Sequence, residues 1–389
     1  MQQKYGAANA RAHHTQPSFI IRLLRAAGVS LLVLNLAAPV AAASKPIPVL
    51  INALNLSWGG AGGGNGEEVG LAADPNTSTV YATDFDGHIS LITAGSLPQD
   101  ININPDIAAI YTANPPTYPE SSILVDTISA TAGMYSQGMG IDPKRQTVYI
   151  ACEAPYSTVY VVSEITNSVI ASIPLTDARA AAADPNTGKV FVTQYGPGTV
   201  AVIDEKTQSV SATIKVGAGP QVPVVDTVSK KVYVTNYPGG TVSVIDERTN
   251  NVIATIPVGT GGANPIAIAV DSKTGKVYVS NYFDETISVI DEKTERVIAV
   301  IPDTGFHPSK AVADSSTGTV YVLNRAKDPG FADGTTALVI DESTDTVTGT
   351  FNVFPGPRSI AIDQNEGLLF VGGGAPNDAA SVAIYQTKP

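Results

Sequence analysis

The chain has 389 residues, of which 43% are hydrophobic and only 15% are charged, with 35 acidic and 23 basic side chains. The net charge of −12 argues against a nucleic-acid partner, because binding to phosphates requires a concentrated basic surface. The 35 Gly and 27 Pro residues, together with short runs rich in Val, Ile, Thr and Tyr, indicate many β-strands joined by tight turns rather than helices.

The first 43 residues differ from the rest of the chain. Arg22 and Arg25 precede an apolar run over residues 26–40, and three alanines ending at Ala43 then provide the small-residue pattern of a signal-peptidase site. We therefore predict a signal peptide over residues 1–43 and a periplasmic or secreted location. A membrane anchor is less favoured, because a spanning helix needs about 20 apolar residues. Cleavage after Ala43 leaves 19 basic and 35 acidic residues, a net charge of −16.

One pattern then recurs through residues 44–389: an apolar strand ending in Asp, a turn, a strand with an aromatic residue, a loop, and further apolar strands. The repeated acids are Asp74, Asp142, Asp184, Asp226, Asp271, Asp314 and Asp363. The repeated aromatics are Tyr81, Tyr149, Phe191, Tyr233, Tyr278, Tyr321 and Phe370, with spacings of 68, 42, 42, 45, 43 and 49 residues. A period in the forties with four strands is typical of a propeller blade. Seven copies predict an all-β, seven-bladed β-propeller with four antiparallel strands, a to d, in each blade.

The two ends of the repeat region predict how the ring closes. The last repeat supplies only three strands before the chain ends, whereas the segment 46–56 is apolar and rich in strand-forming residues. We therefore predict that this N-terminal strand completes the last blade and leaves no open sheet edge. The first blade contains an insertion over residues 94–121, which accounts for the longest spacing. Loops of this length are usually functional, but a solvent-exposed decoration fits the sequence equally well.

The second strand of several repeats carries a recognisable motif. Tyr233-Val234-Thr235-Asn236 is the signature of the YVTN family, and the runs at residues 278–281 and 321–324 are near copies. The chain therefore resembles YVTN-repeat propellers, including YncE-like periplasmic proteins, over residues 45–387. The resemblance implies the fold but no particular activity, since one propeller scaffold hosts unrelated functions. The WD dipeptide of WD-repeat propellers cannot recur here, because Trp58 is the only tryptophan.

The loops and strand starts at one mouth of the predicted channel carry cationic and amide side chains. They come from the position five residues before the repeated Asp and from the loops of the sixth blade. The candidate ligand-binding residues are Gln137, Arg179, Gln221, His307, Lys310, Arg325 and Arg358. Because arginine suits carboxylates, this cluster predicts a site for an anionic ligand. An ordinary channel lining of satisfied polar groups is the alternative interpretation.

Two further patterns have both functional and structural explanations. The b–c loops repeat a polar–aromatic pair, such as Asn236-Tyr237, which provides either ligand contacts or packing against the next blade. The a–b and c–d turns carry 15 of the 35 acids on the opposite face, where turn capping explains them better than attraction of cations does.

The function predicted from these features is a non-catalytic binding or protein-interaction module, with an enzyme of lactonase, lyase or dehydrogenase type as the alternative. We identify no catalytic residues, no cofactor motif and no metal site, because His88 and His307 lack the spacing of metal ligands. The only cysteine, Cys152, is predicted to be a buried core residue. The partner is an unspecified protein or small molecule, and we expect a monomer.

Overall fold

A computed structural model describes residues 45–55, 70–83, 88–93, 124–129, 138–153, 157–261, 264–302, 307–325, 336–353, 356–373 and 381–388. The described residues form 28 β-strands in seven four-stranded sheets. None of them belongs to a helix long and apolar enough to cross a membrane.

The sheets follow one another along the chain as blades 1 to 7. Blades 1 to 3 contain β2 (Gly70–Asp74), β3 (Thr79–Thr83), β4 (His88–Thr93) and β5 (Leu124–Ser129); β6 (Met139–Asp142), β7 (Thr147–Cys152), β8 (Thr158–Ser163) and β9 (Ser168–Pro174); β10 (Ala178–Asp184), β11 (Lys189–Gln194), β12 (Thr199–Asp204) and β13 (Ser209–Lys215). Blades 4 to 6 contain β14 (Pro220–Asp226), β15 (Lys231–Asn236), β16 (Thr241–Asp246) and β17 (Asn251–Pro257); β18 (Pro265–Asp271), β19 (Lys276–Asn281), β20 (Thr286–Asp291) and β21 (Arg296–Pro302); β22 (Pro308–Asp314), β23 (Thr319–Asn324), β24 (Thr336–Asp341) and β25 (Thr346–Asn352). Blade 7 contains β26 (Pro357–Asp363), β27 (Leu368–Gly373), β28 (Ser381–Gln386) and β1 (Val49–Asn55).

Strand a lies at the inner edge of every blade. The strands of blades 1 to 6 pair antiparallel in chain order, and blade 7 has the order β26-β27-β28-β1. The first strands of neighbouring blades contact one another around the ring, including β26 against β2. The predicted all-β, seven-bladed propeller is confirmed. Because the sheets stack radially, the ends of the a strands surround a common channel.

The N-terminal strand closes the ring. β1 pairs antiparallel with β28, from Val49 opposite Gln386 to Asn55 opposite Ser381, as the sequence predicts. The residues before β1 reach blade 6, where Lys45 Nζ donates to the carbonyl oxygen of Thr317 at 2.6 Å. The segment around β1 and the strand β28 therefore share one sheet, and Lys45 adds contacts with Thr317 and, at 3.6 Å, with Asp341 of the adjacent blade.

The core consists of apolar strand residues packed between adjacent blades. The repeated aromatic of strand b is at most 1% exposed in all seven blades. Cys152 is also fully buried, and burial raises the pKa of its thiol to about 12. It therefore behaves as a core residue rather than as a nucleophile.

The repeated Asp organises every a–b turn. Its Oδ1 accepts a hydrogen bond from the backbone amide two residues later, at 2.7–3.0 Å in all seven turns. The residue four positions after the Asp has a positive φ in each turn. Four of these residues are glycines, for example Gly275 at 68°, whereas Ser78, Gln146 and Lys230 adopt the same left-handed conformation. The predicted turn-capping role of the Asp is therefore what the structure shows.

The closure makes a direct prediction about stability. A chain that begins at Asn55 leaves β28 with an unpaired edge and loses the Lys45 contact, so we expect a sharply lower melting temperature than for a chain that begins at Ser44. Circular dichroism and calorimetry measure the difference. Equal melting midpoints for the two chains would contradict the closure.

Two acids of blade 4 separate a buried turn cap from an exposed one. Asp226 is buried and accepts hydrogen bonds from the amides of Val228 and Ser229, so Asp226→Ala is expected to cost about 1–3 kcal/mol in urea unfolding. Asp246 caps its c–d turn through the amide of Thr249 near solvent, and Asp246→Ala is expected to cost clearly less. Equal losses of unfolding free energy in the two variants would contradict the larger stabilising role of the buried Asp.

Candidate functional site

A repeated backbone link shapes the mouth where the d–a and b–c loops meet. The residue before strand a has a positive φ, and its carbonyl accepts a hydrogen bond from the amide of the residue after strand b. The links are Tyr195 to Asp177 (3.0 Å), Tyr237 to Gly219 (3.0 Å), Tyr282 to Asn264 (3.4 Å) and Arg325 to His307 (3.0 Å). Blades 3 to 6 therefore place equivalent residues at the mouth, and we call Tyr195, Tyr237, Tyr282 and Arg325 the mouth arc.

The predicted site residues on the inner strands lie at one structural position. Arg179, Gln221 and Arg358 are the second residues of β10, β14 and β26, where the pairing with strand b changes register. Such irregularities turn a side chain away from the regular alternation of a strand. Lys310 is the third residue of β22 and lies opposite Leu323. Gln137 lies outside the described residues.

Arg179 is held by acidic and aromatic neighbours. Its Nη1 is 2.7 Å from Glu153 Oε1, and its Nε is 3.9 Å from Asp177 Oδ1. The guanidinium also lies 4.4 Å from the centre of the Tyr195 ring, a cation–π contact. Its charge is therefore largely balanced within blades 2 and 3, which the sequence analysis did not anticipate.

His307 lies beside the mouth arc, at the junction of blades 5 and 6. Its ring stacks on Tyr282 with centroids 4.5 Å apart and an interplanar angle of 12°. Its Nδ1 lies 2.9 Å from the carbonyl oxygen of Tyr282, which requires the proton on Nδ1 and leaves Nε2 as an acceptor in the neutral ring. Phe283 packs edge-on against both rings and is 56% exposed.

The tyrosines of the arc are close enough to influence one another. Burial raises the pKa of Tyr237, and the phenols of Tyr195 and Tyr282 on either side raise it further. Tyr195 also packs on the next blade, because a Cβ added to Gly219 would lie 2.8 Å from its ring. The polar residue before Tyr237 stabilises its own blade: Asn236, at the end of β15, donates from Nδ2 to Ser243 Oγ of the same sheet at 2.9 Å. The pairs in the b–c loops therefore have the packing role that the sequence analysis considered, while part of each tyrosine faces solvent.

Arg358 is the most deeply buried of the predicted cations, at 8% exposed. A buried guanidinium must be offset by anionic or carbonyl groups, because removing its charge from water is costly. The described contacts of Arg179 lie in blades 2 and 3, and those of His307 in blades 5 and 6. The structure thus links His307 with Arg325 directly, whereas Arg179 contacts Tyr195 at the other end of the mouth arc.

Sequence reasoning missed the partners of Arg179 and the role of left-handed residues. The left-handed conformation of Asp177 could have been predicted from the sequence. Asp, Asn and Gly adopt a positive φ more readily than other residues, and these three residue types occur at this position in the d–a loops of blades 3 to 5. The pairing with Glu153 has no such signal, since it depends on how blade 2 meets blade 3. Within the part of the chain that the structure describes, no group of three or more His, Cys, Asp and Glu side chains is placed to hold a metal ion.

Comparison with known proteins agrees with the fold and adds nothing about activity. No protein-family model matches the chain, and no curated protein sequence matches it at a significant level. Among solved structures it is similar to the crystal structure of the WD40 β-propeller domain of Doa1, with a TM-score of 0.62 and 13% identity over 88% of this chain and 97% of that one. At this identity the likeness shows the fold alone, and the protein is a seven-bladed β-propeller with WD40-like architecture.

The left-handed His307 provides a test that separates backbone strain from stacking. His307→Gly relieves a conformation at φ 54° that costs about 1 kcal/mol, but it removes a stack and a hydrogen bond that contribute about 0.5–1.5 kcal/mol each, so we expect a net loss of about 1 kcal/mol in unfolding free energy. His307→Val loses the stack and places a β-branched residue in the same conformation, so we expect a loss of about 2 kcal/mol or more. Equal effects of the two variants would contradict this account.

Proposed function

We propose that this propeller is an exported, non-catalytic binding module of the YVTN-repeat type, and that it holds a carboxylate-bearing ligand at the mouth. The observation that carries the proposal is the arrangement of blades 3 to 6, where tyrosines and an arginine occupy equivalent positions around the channel. Aromatic faces with adjacent guanidinium groups suit ligands that combine apolar surface with carboxylates.

Two features of the inner strands support a ligand at this mouth rather than a uniform lining. The second residue differs from blade to blade, as Arg179, Gln221, Ile266, Ser309 and Arg358, although the turns at the other face are repeated. Variable residues on a repeated, rigid frame are typical of a recognition surface. The signal-peptide pattern predicted over residues 1–43 supports export.

The proposal is tested by calorimetric titration with citrate and with a hexaglutamate peptide. The double variant Arg179→Ala/Arg358→Ala removes two guanidinium groups from the mouth, and we expect affinity to fall about 10- to 100-fold, because hydrogen bonds to charged groups contribute about 1.5–3 kcal/mol. Arg248→Ala/Arg296→Ala removes the same charge from the opposite face, at the c–d turn of blade 4 and the first residue of β21, and should change affinity less than about twofold, since only net charge is altered.

Two results contradict the proposal: equal losses in the two double variants, or no measurable binding of either probe by the wild-type chain. Because Arg358 is buried, the melting temperature of each variant must be recorded with its affinity. His307→Gly adds an independent probe of the site, since we expect it to cost only about 1 kcal/mol of stability while it removes one side of the aromatic surface.

A further inference from the structure

The face opposite the mouth brings two carboxyl groups together at five of the described blade junctions. One is the repeated Asp at the end of strand a, and the other is a Glu that follows strand c of the next blade. The pairs are Asp74 with Glu164, Asp142 with Glu205, Asp184 with Glu247, Asp226 with Glu292, and Asp271 with Glu342. The five Asp residues are fully buried, and the Glu residues of blades 3 to 6 are only 1–7% exposed.

The two acids of a pair have different surroundings. Asp226 receives donors from its own turn and from the hydroxyl of Ser272 in the next blade, as expected of an ionised carboxylate. Glu292 lies within hydrogen-bonding reach of Asp226, yet its Oε1 is buried without a donor, as is Oε1 of Glu342 beside Asp271. Two ionised carboxylates cannot form this contact, because neither carries a hydrogen to donate. A proton on the Glu provides the missing donor.

The lysines near Glu292 and Glu342 donate their hydrogen bonds to groups other than these two carboxyl groups. Lys231 Nζ donates to the backbone oxygen of Glu292 at 2.7 Å and to Glu295 Oε1 at 2.8 Å. Lys276 Nζ donates in the same way to the backbone oxygen of Glu342 and to Asp345. The other titratable groups facing Glu292 and Glu342 are acids or phenols: Asp291, Tyr233 and Tyr278. Among the described residues at these two junctions, Lys231 and Lys276 therefore do not donate to the paired carboxyl groups in place of the shared proton.

The remaining three pairs vary the same arrangement. Arg145 lies 3.0 Å from Glu205 Oε2 and also pairs with Asp142, so one cation faces two carboxyl groups. Asp184 is 3.4 Å from Lys230 Nζ, and its partner Glu247 accepts a hydrogen bond from Thr187. Glu164 faces Asp74, Asp142 and the phenol of Tyr81. At the junction of blades 6 and 7, Thr387 stands at the Glu position.

We propose that each of these five junctions binds one proton shared by the Asp and the Glu, so that the propeller is most stable in mildly acidic solution and loses stability in alkali. The proposal goes beyond the proposed function, because it concerns the opposite face and the cohesion of the blades. Two negative charges in one buried site repel each other strongly, and a shared proton removes one of them.

The pKa directions agree with this geometry and give the pH range. Burial, followed by the neighbouring Asp, raises the pKa of Glu205, Glu292 and Glu342 to about 8, and that of Glu164 to about 7. These groups contribute their full stability below the unfolded value of 4.5, and the contribution falls steadily above that pH until it is gone once the pH has risen through 7 to 8. Although burial opposes it, hydrogen bonds lower the pKa of Asp226, so that its contribution is lost only in acid.

Urea unfolding of the full chain between pH 5.5 and pH 9.5 tests the proposal. Each protonated pair releases one proton on unfolding, so the unfolding constant should rise up to about tenfold per pH unit and per pair below the folded pKa. Glu292→Gln/Glu342→Gln keeps a donor toward each Asp without titrating, so its stability relative to the wild type should increase steadily from pH 5.5 to about pH 8, and its own slope should be smaller. Glu285→Gln/Glu366→Gln, with the same charge change at residues that contact none of the pairs or their lysines, should keep the wild-type slope.

The opposite results overturn the proposal: an unfolding constant that is flat from pH 6 to pH 9, or a slope that the Glu292→Gln/Glu342→Gln variant leaves unchanged. Infrared spectroscopy of the wild-type protein at pH 7 does not depend on the variants. It should show the band of protonated carboxyl groups, and that band should disappear reversibly as the pH is raised to 9.5. A spectrum at pH 7 with ionised carboxylates only would also contradict the shared protons.

Discussion

The structure depends on one constraint: every blade is apolar on both faces and must be covered by a neighbour on each side. Strand b of each repeat is almost entirely buried, with its aromatic residue in the interface between blades. A row of such sheets buries every apolar face only when it forms a closed ring, since an open row leaves two apolar faces in water. The pairing of β1 with β28 completes the last blade, so the first and last repeats meet.

Closure divides the remaining residues between two faces with different roles. The a–b and c–d turns repeat the same acids, amide contacts and left-handed residues, because each blade must meet the next in the same way. The mouth has a repeated backbone link but variable side chains, from Tyr195 in blade 3 to Arg325 in blade 6. A fold that keeps the same backbone geometry in each blade, while the side chains at one end vary between blades, is suited to recognition at that end.

The sequence predicts the architecture well because the same residue pattern recurs in every blade. Seven copies of one Asp and one aromatic residue locate the strands and turns, and the missing strand of the last repeat indicates the closure. Contacts between blades are harder to predict. The pairing of Arg179 with Glu153 joins adjacent blades, and periodicity within one repeat carries no information about it.

The acids of the c–d turns illustrate the same limit. In the run Asp291-Glu292, the sequence analysis assigns both residues to the surface of a turn, and Asp291 does cap that turn through the amide of Thr294 at 2.7 Å. Glu292 instead turns inward against Asp226 of the preceding blade and is 7% exposed. The two residues are adjacent in the chain, so only the packing of blade on blade distinguishes them.

Hydrogen exchange followed by mass spectrometry tests the closed ring most directly. If β1 is an integral strand of blade 7, the amides of residues 49–55 should exchange as slowly as those of β28 and should become exposed together with them under mild denaturant. Rapid exchange of residues 49–55 while β28 and the blades around β15 remain protected would contradict the closure.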